Sequence, residues 1–193
     1  MEKYLYLTKV EWADAWISGG IIPLFLASTY KNDTRVGTKT PDENLVHESP
    51  IDLKSLSPII HIGDGANVRG LTITNSYFNG QRIPDIVNAN YYTDDGLTLS
   101  LSNSFSEEIA RKLGKAACVK IYNVEKLRRV IDKQLGFKGV MGSCEYTSSH
   151  QRNHFLKSTE DAWQNEYRIF WRHPKNRTVR VPAGNSELVA IFD

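Results

Sequence analysis

KSTEDAWQNEYRIFWRH, residues 157–173, is the stretch on which the reading of the fold turns. From Glu166 its residues alternate, with Glu166, Arg168, Phe170 and Arg172 on one side of an extended chain and Tyr167, Ile169 and Trp171 on the other. The spacing predicts a half-buried strand with its charges on the open face. An acid two residues from an arginine suits a ligand that carries both hydroxyls and phosphates. A carboxylate accepts from sugar hydroxyls, and a guanidinium forks onto phosphate oxygens. The same residues also fit an ion pair on an ordinary edge strand, where surface charge pairs contribute little.

Working outward, LTLSLSN at 97–103 sets Leu97, Leu99 and Leu101 against Thr98, Ser100 and Ser102, a strand with one hydroxyl-lined face. Ser106 caps a short helix that carries Glu107 and Glu108 in its first turn and Gly114 after its end. A strand at 116–122 follows, then a helix capped by Asn123 and closed by Gly136. Further strands are expected at 140–146 and 188–192. At the start of the chain a strand at 4–7 leads to Thr8 and Glu11, spaced as a capping box. Val10, Ala13 and Ile17, with Trp12 and Trp16 alongside, form the helix's inward stripe. Gly19-Gly20 ends the helix, and a strand at 21–27 follows. Between Ser28 and Asp95 the periodicity fades, with short strand pieces at 59–62 and 71–74 and turns through GDGANVRG at 63–70. An irregular stretch of that length inside a compact domain is usually functional or flexible. The mixed order of elements indicates an α+β fold with a few flanking helices, as one domain over 1–193.

The 193 residues are 40% hydrophobic and 24% charged, enough for a continuous core and unlike a disordered chain. No apolar run reaches the roughly 18 to 20 residues needed to span a bilayer. MEKYLYLTK lacks the apolar centre of a signal peptide, so a soluble, cytoplasmic protein with no membrane partner is expected. Cys118 and Cys144 are too few for a disulfide scaffold or a cysteine-rich zinc site. His150 and His154 are four apart in HQRNH but have no neighbouring third ligand, so they read as a solvated loop and no metal is expected. Tyr77, Tyr91, Tyr92, Tyr146 and Tyr167 have rings that can stack on a base, although aromatics at strand positions more often fill a core. The net charge is only +2, but Arg152, Lys157, Arg168, Arg172, Lys175, Arg177 and Arg180 face only Glu160, Asp161 and Glu166 between 152 and 180. That end of the chain is suited to an anion.

Four blocks together resemble the ADP-ribosyltransferase-like superfamily, in particular a bacterial family of uncharacterised domains used as toxins or phage-defence effectors. They are YLYLTKVEWADAWISGGIIPLFLAS near the start, Asn32-Asp33 followed by a distal acid, LTLSLSNS in the middle, and K…W..EYR from Lys157 to Arg168. The resemblance implies a split-sheet core and NAD as co-substrate. It implies chemistry at the bond between nicotinamide and ribose, where a carboxylate steadies an oxocarbenium-like transition state. Glu166 matches that carboxylate, Gln164 matches a glutamine that positions the acceptor, and Arg168 supports the site. Ser100 and Ser102 match a serine pair that shapes the nicotinamide pocket. Arg35 matches a pyrophosphate-binding arginine, and Tyr30 a stacking ring. Many relatives bind NAD through an arginine or histidine in the first strand. This chain has Tyr6, Leu7 and Thr8 there, which leaves Tyr6 and Thr8 as the contacts. The implied activity is transfer of ADP-ribose to a macromolecule, with nucleic acid favoured by the basic C-terminal half, and a neutralising antitoxin protein is an expected partner. The alternatives are a non-catalytic nucleic-acid- or protein-binding module on the same fold and an NAD glycohydrolase.

Overall fold

The 157–173 stretch supplies the inner strand of an antiparallel sheet. The computed structural model describes residues 1–31, 43–57, 59–63 and 65–192. It opens with β1 (Lys3–Leu7), α1 (Trp12–Ser18) and β2 (Ile21–Leu26), followed by a 3-10 turn at Ala27–Lys31. Next come β3 (Leu45–Glu48), a 3-10 turn at Leu53–Leu56, β4 (Val68–Ile73), β5 (Tyr77–Phe78), β6 (Gln81–Arg82) and β7 (Ile86–Thr93). The second half holds β8 (Leu97–Ser102), α2 (Glu107–Lys112), β9 (Ala117–Ile121), α3 (Val124–Leu135), β10 (Val140–Ser143) and β11 (Glu145–Thr147). It ends with β12 (Leu156–Ser158), a 3-10 turn at Thr159–Gln164, β13 (Glu166–Trp171), β14 (Arg177–Arg180) and β15 (Ser186–Ile191). The chain is α+β, with mostly antiparallel sheets and few helices.

The main sheet runs β10-β13-β8-β1-β9-β15. Its apolar face takes Leu5 and Leu7 from β1, Leu97, Leu99 and Leu101 from β8, and Tyr167, Ile169 and Trp171 from β13. Ala13 and Trp16 of α1 and Val124, Leu127 and Ile131 of α3 close over it. The period-2 pattern of LTLSLSN and EYRIFW therefore does select the core side. β8 is flanked by β13 along its whole length, but its other edge is shared: Ser102 pairs with Tyr4 of β1, while Thr98 and Leu97 pair with Phe25 and Leu26 of β2. The sheet forks between β1 and β2, beside residues 99–101 of β8. β2 continues outward to β14.

Predicted helix boundaries hold at Asn123 and Gly136 for α3, at Ser106 for α2 and at Gly19 for α1. Asn123 Oδ1 accepts from Lys126 N at 2.9 Å, Ser106 Oγ accepts from Ile109 N at 3.3 Å, and Gly19 ends α1 with φ 83°. The capping box at Thr8 does not form. α1 begins at Trp12, its preceding residue Glu11 makes no side-chain cap, and Thr8 Oγ1 instead accepts from Lys115 Nζ at 3.0 Å. A backbone turn takes the cap's place, with Trp12 N donating to Lys9 O and Ala13 N to Val10 O.

Two expectations about strands are corrected. β13 is not a half-buried edge strand: it lies between β10 and β8, and all six of its residues are buried. Its charged side is roofed by the excursion that leaves the sheet after β10. Cys144 N donates to Glu166 O at 2.9 Å, and the chain then turns away to pair β11 with β12 in parallel. The single strand expected at 140–146 is split by this departure. The second correction concerns 28–95, which holds a three-stranded antiparallel sheet, β3-β7-β4, over a separate core of Leu53, Leu56, Ile86 and Ala89. No strand forms at 59–62 among its described residues. The alternation that would have announced this sheet is broken by Asn88, at φ 53°, and by register shifts between β4 and β7 on either side of Leu71. Backbone bonds between His47 and Arg152, 2.8 and 3.0 Å, tie the small sheet to the excursion.

Candidate functional site

Glu166 stands at the first position of β13, and both of its carboxylate oxygens are engaged. Oε1 accepts from Arg168 Nε at 2.8 Å, and Oε2 from Lys157 Nζ at 2.9 Å. Lys157 arrives on β12 and also donates to Gln164 Oε1 at 3.0 Å, while Gln164 Nε2 donates to Asp161 Oδ1 at 2.9 Å. Arg168 reaches in two further directions, pairing with Glu43 and donating to the His154 carbonyl at 2.8 Å. Asn165, left-handed at φ 45°, turns the chain between the 3-10 turn and β13, so that Gln164 and Glu166 flank the same ammonium group. Glu166 is 4% exposed and Arg168 1%.

Burial alone would raise the Glu166 pKa, but Arg168 and Lys157 outweigh it and hold the carboxyl down at about 2. Burial likewise disfavours the Lys157 ammonium, which Glu166 and Glu43 overcome to raise its pKa, and Arg168 is raised by the same two carboxylates against the same penalty. At neutral pH Glu166 is therefore a fixed anion with no proton to donate. It is suited to steadying positive charge and unsuited to general-acid work. A narrow crevice lined by Glu43, Asn153, Leu156, Lys157 and Arg168 reaches the two cations that partner Glu166 and not Glu166 itself.

Ser102 pairs in register with Glu166, and Ser100 with Arg168, so the four side chains share one face of β8 and β13. Ser102 is buried and its hydroxyl donates to Ser104 O at 2.9 Å, whereas Ser100 is exposed at the fork. Tyr6 lies close by on β1. Its hydroxyl donates to Ser106 O at 3.1 Å and accepts from Ser106 N at 2.7 Å, and burial pushes its pKa up to about 12. Glu166, Gln164, Arg168, Ser100, Ser102 and Tyr6 thus gather around one end of β8. Thr8 lies past the far end of β1, and Tyr30 stands on the 3-10 turn tied through Ala27 N to Gly96 O, at the Leu97 end of β8. Arg35 lies outside the described residues.

The ion pairs of Glu43, the roof formed by His154, and the hydroxyl of Tyr146, which accepts from Glu166 N at 2.9 Å, have no local signature in the sequence. Lys157 belongs to the K…W..EYR block, but its charge is directed inward. Lys157 and Arg168 therefore drop out of the basic stripe expected between 152 and 180. Arg172 pairs with Asp94 at 3.1 Å, Arg180 donates to Gly19 O at 2.9 Å, and Lys175 and Arg177 are exposed.

The HQRNH segment is not a solvated loop throughout. His154 is buried, stacks on Phe170 with ring centroids 3.6 Å apart, and sets Nε2 3.2 Å from Asp94 Oδ2, leaving Nδ1 without a hydrogen bond. His47 is buried against Tyr91 and His150, and its Nε2, 4.0 Å from Asp52, also lacks one. Burial lowers both pKa values, and the attraction of Asp94 and Asp52 does not restore them. Both groups bind protons more readily in the unfolded chain. Their neutral forms are compatible with full stability above the unfolded value near 6.5, and stability falls as pH drops below it. Urea midpoints should therefore decline between about pH 7.5 and about pH 5.5, and the decline should flatten in His47→Gln/His154→Gln. An equal decline in that double variant would assign it to other groups.

No helix among the described residues is long and apolar enough to cross a membrane, and no group of three or more histidine, cysteine or acidic side chains among them could hold a metal ion. Comparison with family models, curated proteins and solved structures finds no match to the chain.

Proposed function

We propose that the chain is an NAD-dependent ADP-ribosyltransferase that moves ADP-ribose onto a macromolecule, with nucleic acid the favoured acceptor. The observation that carries this reading is a line of register partners, Tyr4 on β1, Ser102 on β8 and Glu166 on β13, in a sheet that forks beside β8. Three of the four blocks that carry the resemblance are far apart in sequence and adjacent in space, and the fourth, Asn32-Asp33, lies outside the described residues. In this reading the NAD lies along the fork, where Ser100 is exposed. Glu166, held ionised by Lys157 and Arg168, meets the positive charge that develops on the ribose as nicotinamide leaves. Arg168 orients the carboxylate and Gln164 faces the acceptor side.

Nicotinamide release from NAD tests the chemistry. Glu166→Gln keeps the shape and one acceptor oxygen, and should slow release by about 100-fold or more with thermal unfolding still cooperative. Release at the wild-type rate would remove Glu166 from the mechanism. Mass spectrometry of candidate acceptors separates transfer from hydrolysis, since a glycohydrolase leaves every macromolecule unmodified.

One observation favours a second reading, a binding module without catalysis: both Glu166 oxygens are taken by cations, and the residue is buried. Calorimetric titration with NAD decides between the two. Heat of binding supports the transferase, and a flat titration supports the module.

A further inference from the structure

The hairpin of β5 and β6 belongs to neither core, and both aromatic side chains of β5 are exposed. Its two-residue loop, Asn79-Gly80, is left-handed at both positions, φ 50° and 78°, as a type I′ turn requires. Its base is pinned as well. Asp85 accepts from Asn75 N and from Arg82, each at 3.1 Å, and Ile83 N donates to Ser76 O at 2.9 Å. On this stiff support Tyr77 is 68% exposed and Phe78 40%. Tyr77 pairs in register with Arg82, so a phenol ring and a guanidinium share one face. A guanidinium also meets a phenol ring on the three-stranded sheet, where Arg69 of β4 lies 3.5 Å from the Tyr92 ring centroid.

We propose that this hairpin docks single-stranded nucleic acid, with a base stacked on Tyr77 and a phosphate met by Arg82. Several features favour that partner. Every base offers a π-face to an exposed ring, and a guanidinium beside the ring supplies both charge and a forked donor. Residues 65–93 contain one carboxylate, Asp85, an exposed group that accepts from Asn75 N and pairs with one terminal nitrogen of Arg82, a pair that a phosphate would share or displace. The hairpin and its base also carry Asn75, Ser76 and Gln81, amides and a hydroxyl that suit base edges and phosphates. A protein hot spot would need a rim that excludes water, and the one large aliphatic side chain exposed in this stretch is Val87. An unpaired strand is required because the ring must reach a base face that a duplex keeps stacked.

The test uses the full chain without NAD, so it does not depend on the transferase reading. Fluorescence anisotropy would follow labelled oligouridylate and oligothymidylate of about 20 nucleotides, with a duplex of equal length as reference. The wild-type chain should bind the single strands more tightly than the duplex. Tyr77→Ala should weaken that binding about tenfold, and Tyr77→Phe should restore most of it. Arg82→Ala should weaken binding and lower the slope of its salt dependence by about one. Tyr77 packs in neither core, so the thermal midpoint should stay where it is in both Tyr77 variants. Absence of single-strand binding, equal affinity in Tyr77→Ala, or preference for the duplex would each overturn the proposal. Nicotinamide release by Tyr77→Ala is measured separately, so failure of the hairpin proposal and failure of the NAD reading give different results.

Discussion

Glu166→Ala should unfold about 3–5 kcal/mol more easily than the wild type in urea titrations at neutral pH, because the truncation leaves two buried cations facing each other with nothing between them. Lys157 and Arg168 are 5% and 1% exposed, so water cannot replace the carboxylate without opening the roof. Gln164 Oε1 remains for the lysine and Glu43 for the arginine, which limits the loss but leaves Arg168 Nε without its acceptor. The thermal midpoint should fall by about 6–20 °C. A shift within a degree of the wild type would mean that the carboxylate contributes almost nothing to the fold. The consequence for mechanism is direct: loss of activity in Glu166→Ala cannot distinguish a catalytic carboxylate from a structural one. Glu166→Gln keeps one acceptor oxygen but also removes the charge and sets an amide NH2 against one of the two donors, so its loss of activity counts for catalysis only beside a thermal midpoint that shows the variant folded.

The elements that follow from local chemistry were legible in the sequence. Asn123 and Gly136 bound α3 because one side-chain oxygen and one left-handed glycine are sufficient to do so, and LTLSLSN gives its buried face because a strand's side chains alternate. Thr8 misled because a capping box names a possible hydrogen bond, and here backbone turns and Lys115 compete for the same groups. β7 was hidden because the bulge at Asn88 interrupts its alternation, and a strand without period 2 resembles a loop. The roof over β13 has no counterpart in local sequence. EYRIFW alternates as a half-buried strand should, and nothing within those residues reveals that the face carrying Glu166 and Arg168 is covered too. The cover comes from Glu43, His154 and Lys157, and the first of these lies more than a hundred residues away in sequence. The candidate site was thus legible as a list of side chains on β8 and β13, whereas its closure, the feature that most constrains its chemistry, is a tertiary property.

Arg168→Met should cost a comparable amount at neutral pH and should also reverse the local pH dependence. The guanidinium serves Glu166, Glu43 and the His154 carbonyl at once, a three-way arrangement that a single ammonium cannot reproduce, so Arg168→Lys should recover little. Without it two carboxylates remain in a buried site with Lys157 as the nearby cation, and each is easier to protonate there than in the unfolded chain. In the wild type the sign is opposite. Glu166 has its folded pKa depressed to about 2, so its contribution is present above the unfolded carboxylate value and is lost only as pH falls toward that depressed one. The deficit of Arg168→Met relative to the wild type should therefore shrink as pH is lowered from about 7 to about 5, although both proteins lose stability over that range through His47 and His154. Adding Glu43→Gln to Arg168→Met should recover part of the neutral-pH loss, since it removes one of the orphaned charges. Paired urea titrations at the two pH values measure all of this. A deficit that stays constant with pH and is untouched by Glu43→Gln would show that Arg168 holds the roof through packing and its bond to the His154 carbonyl, and that the charge balance around Glu166 is incidental.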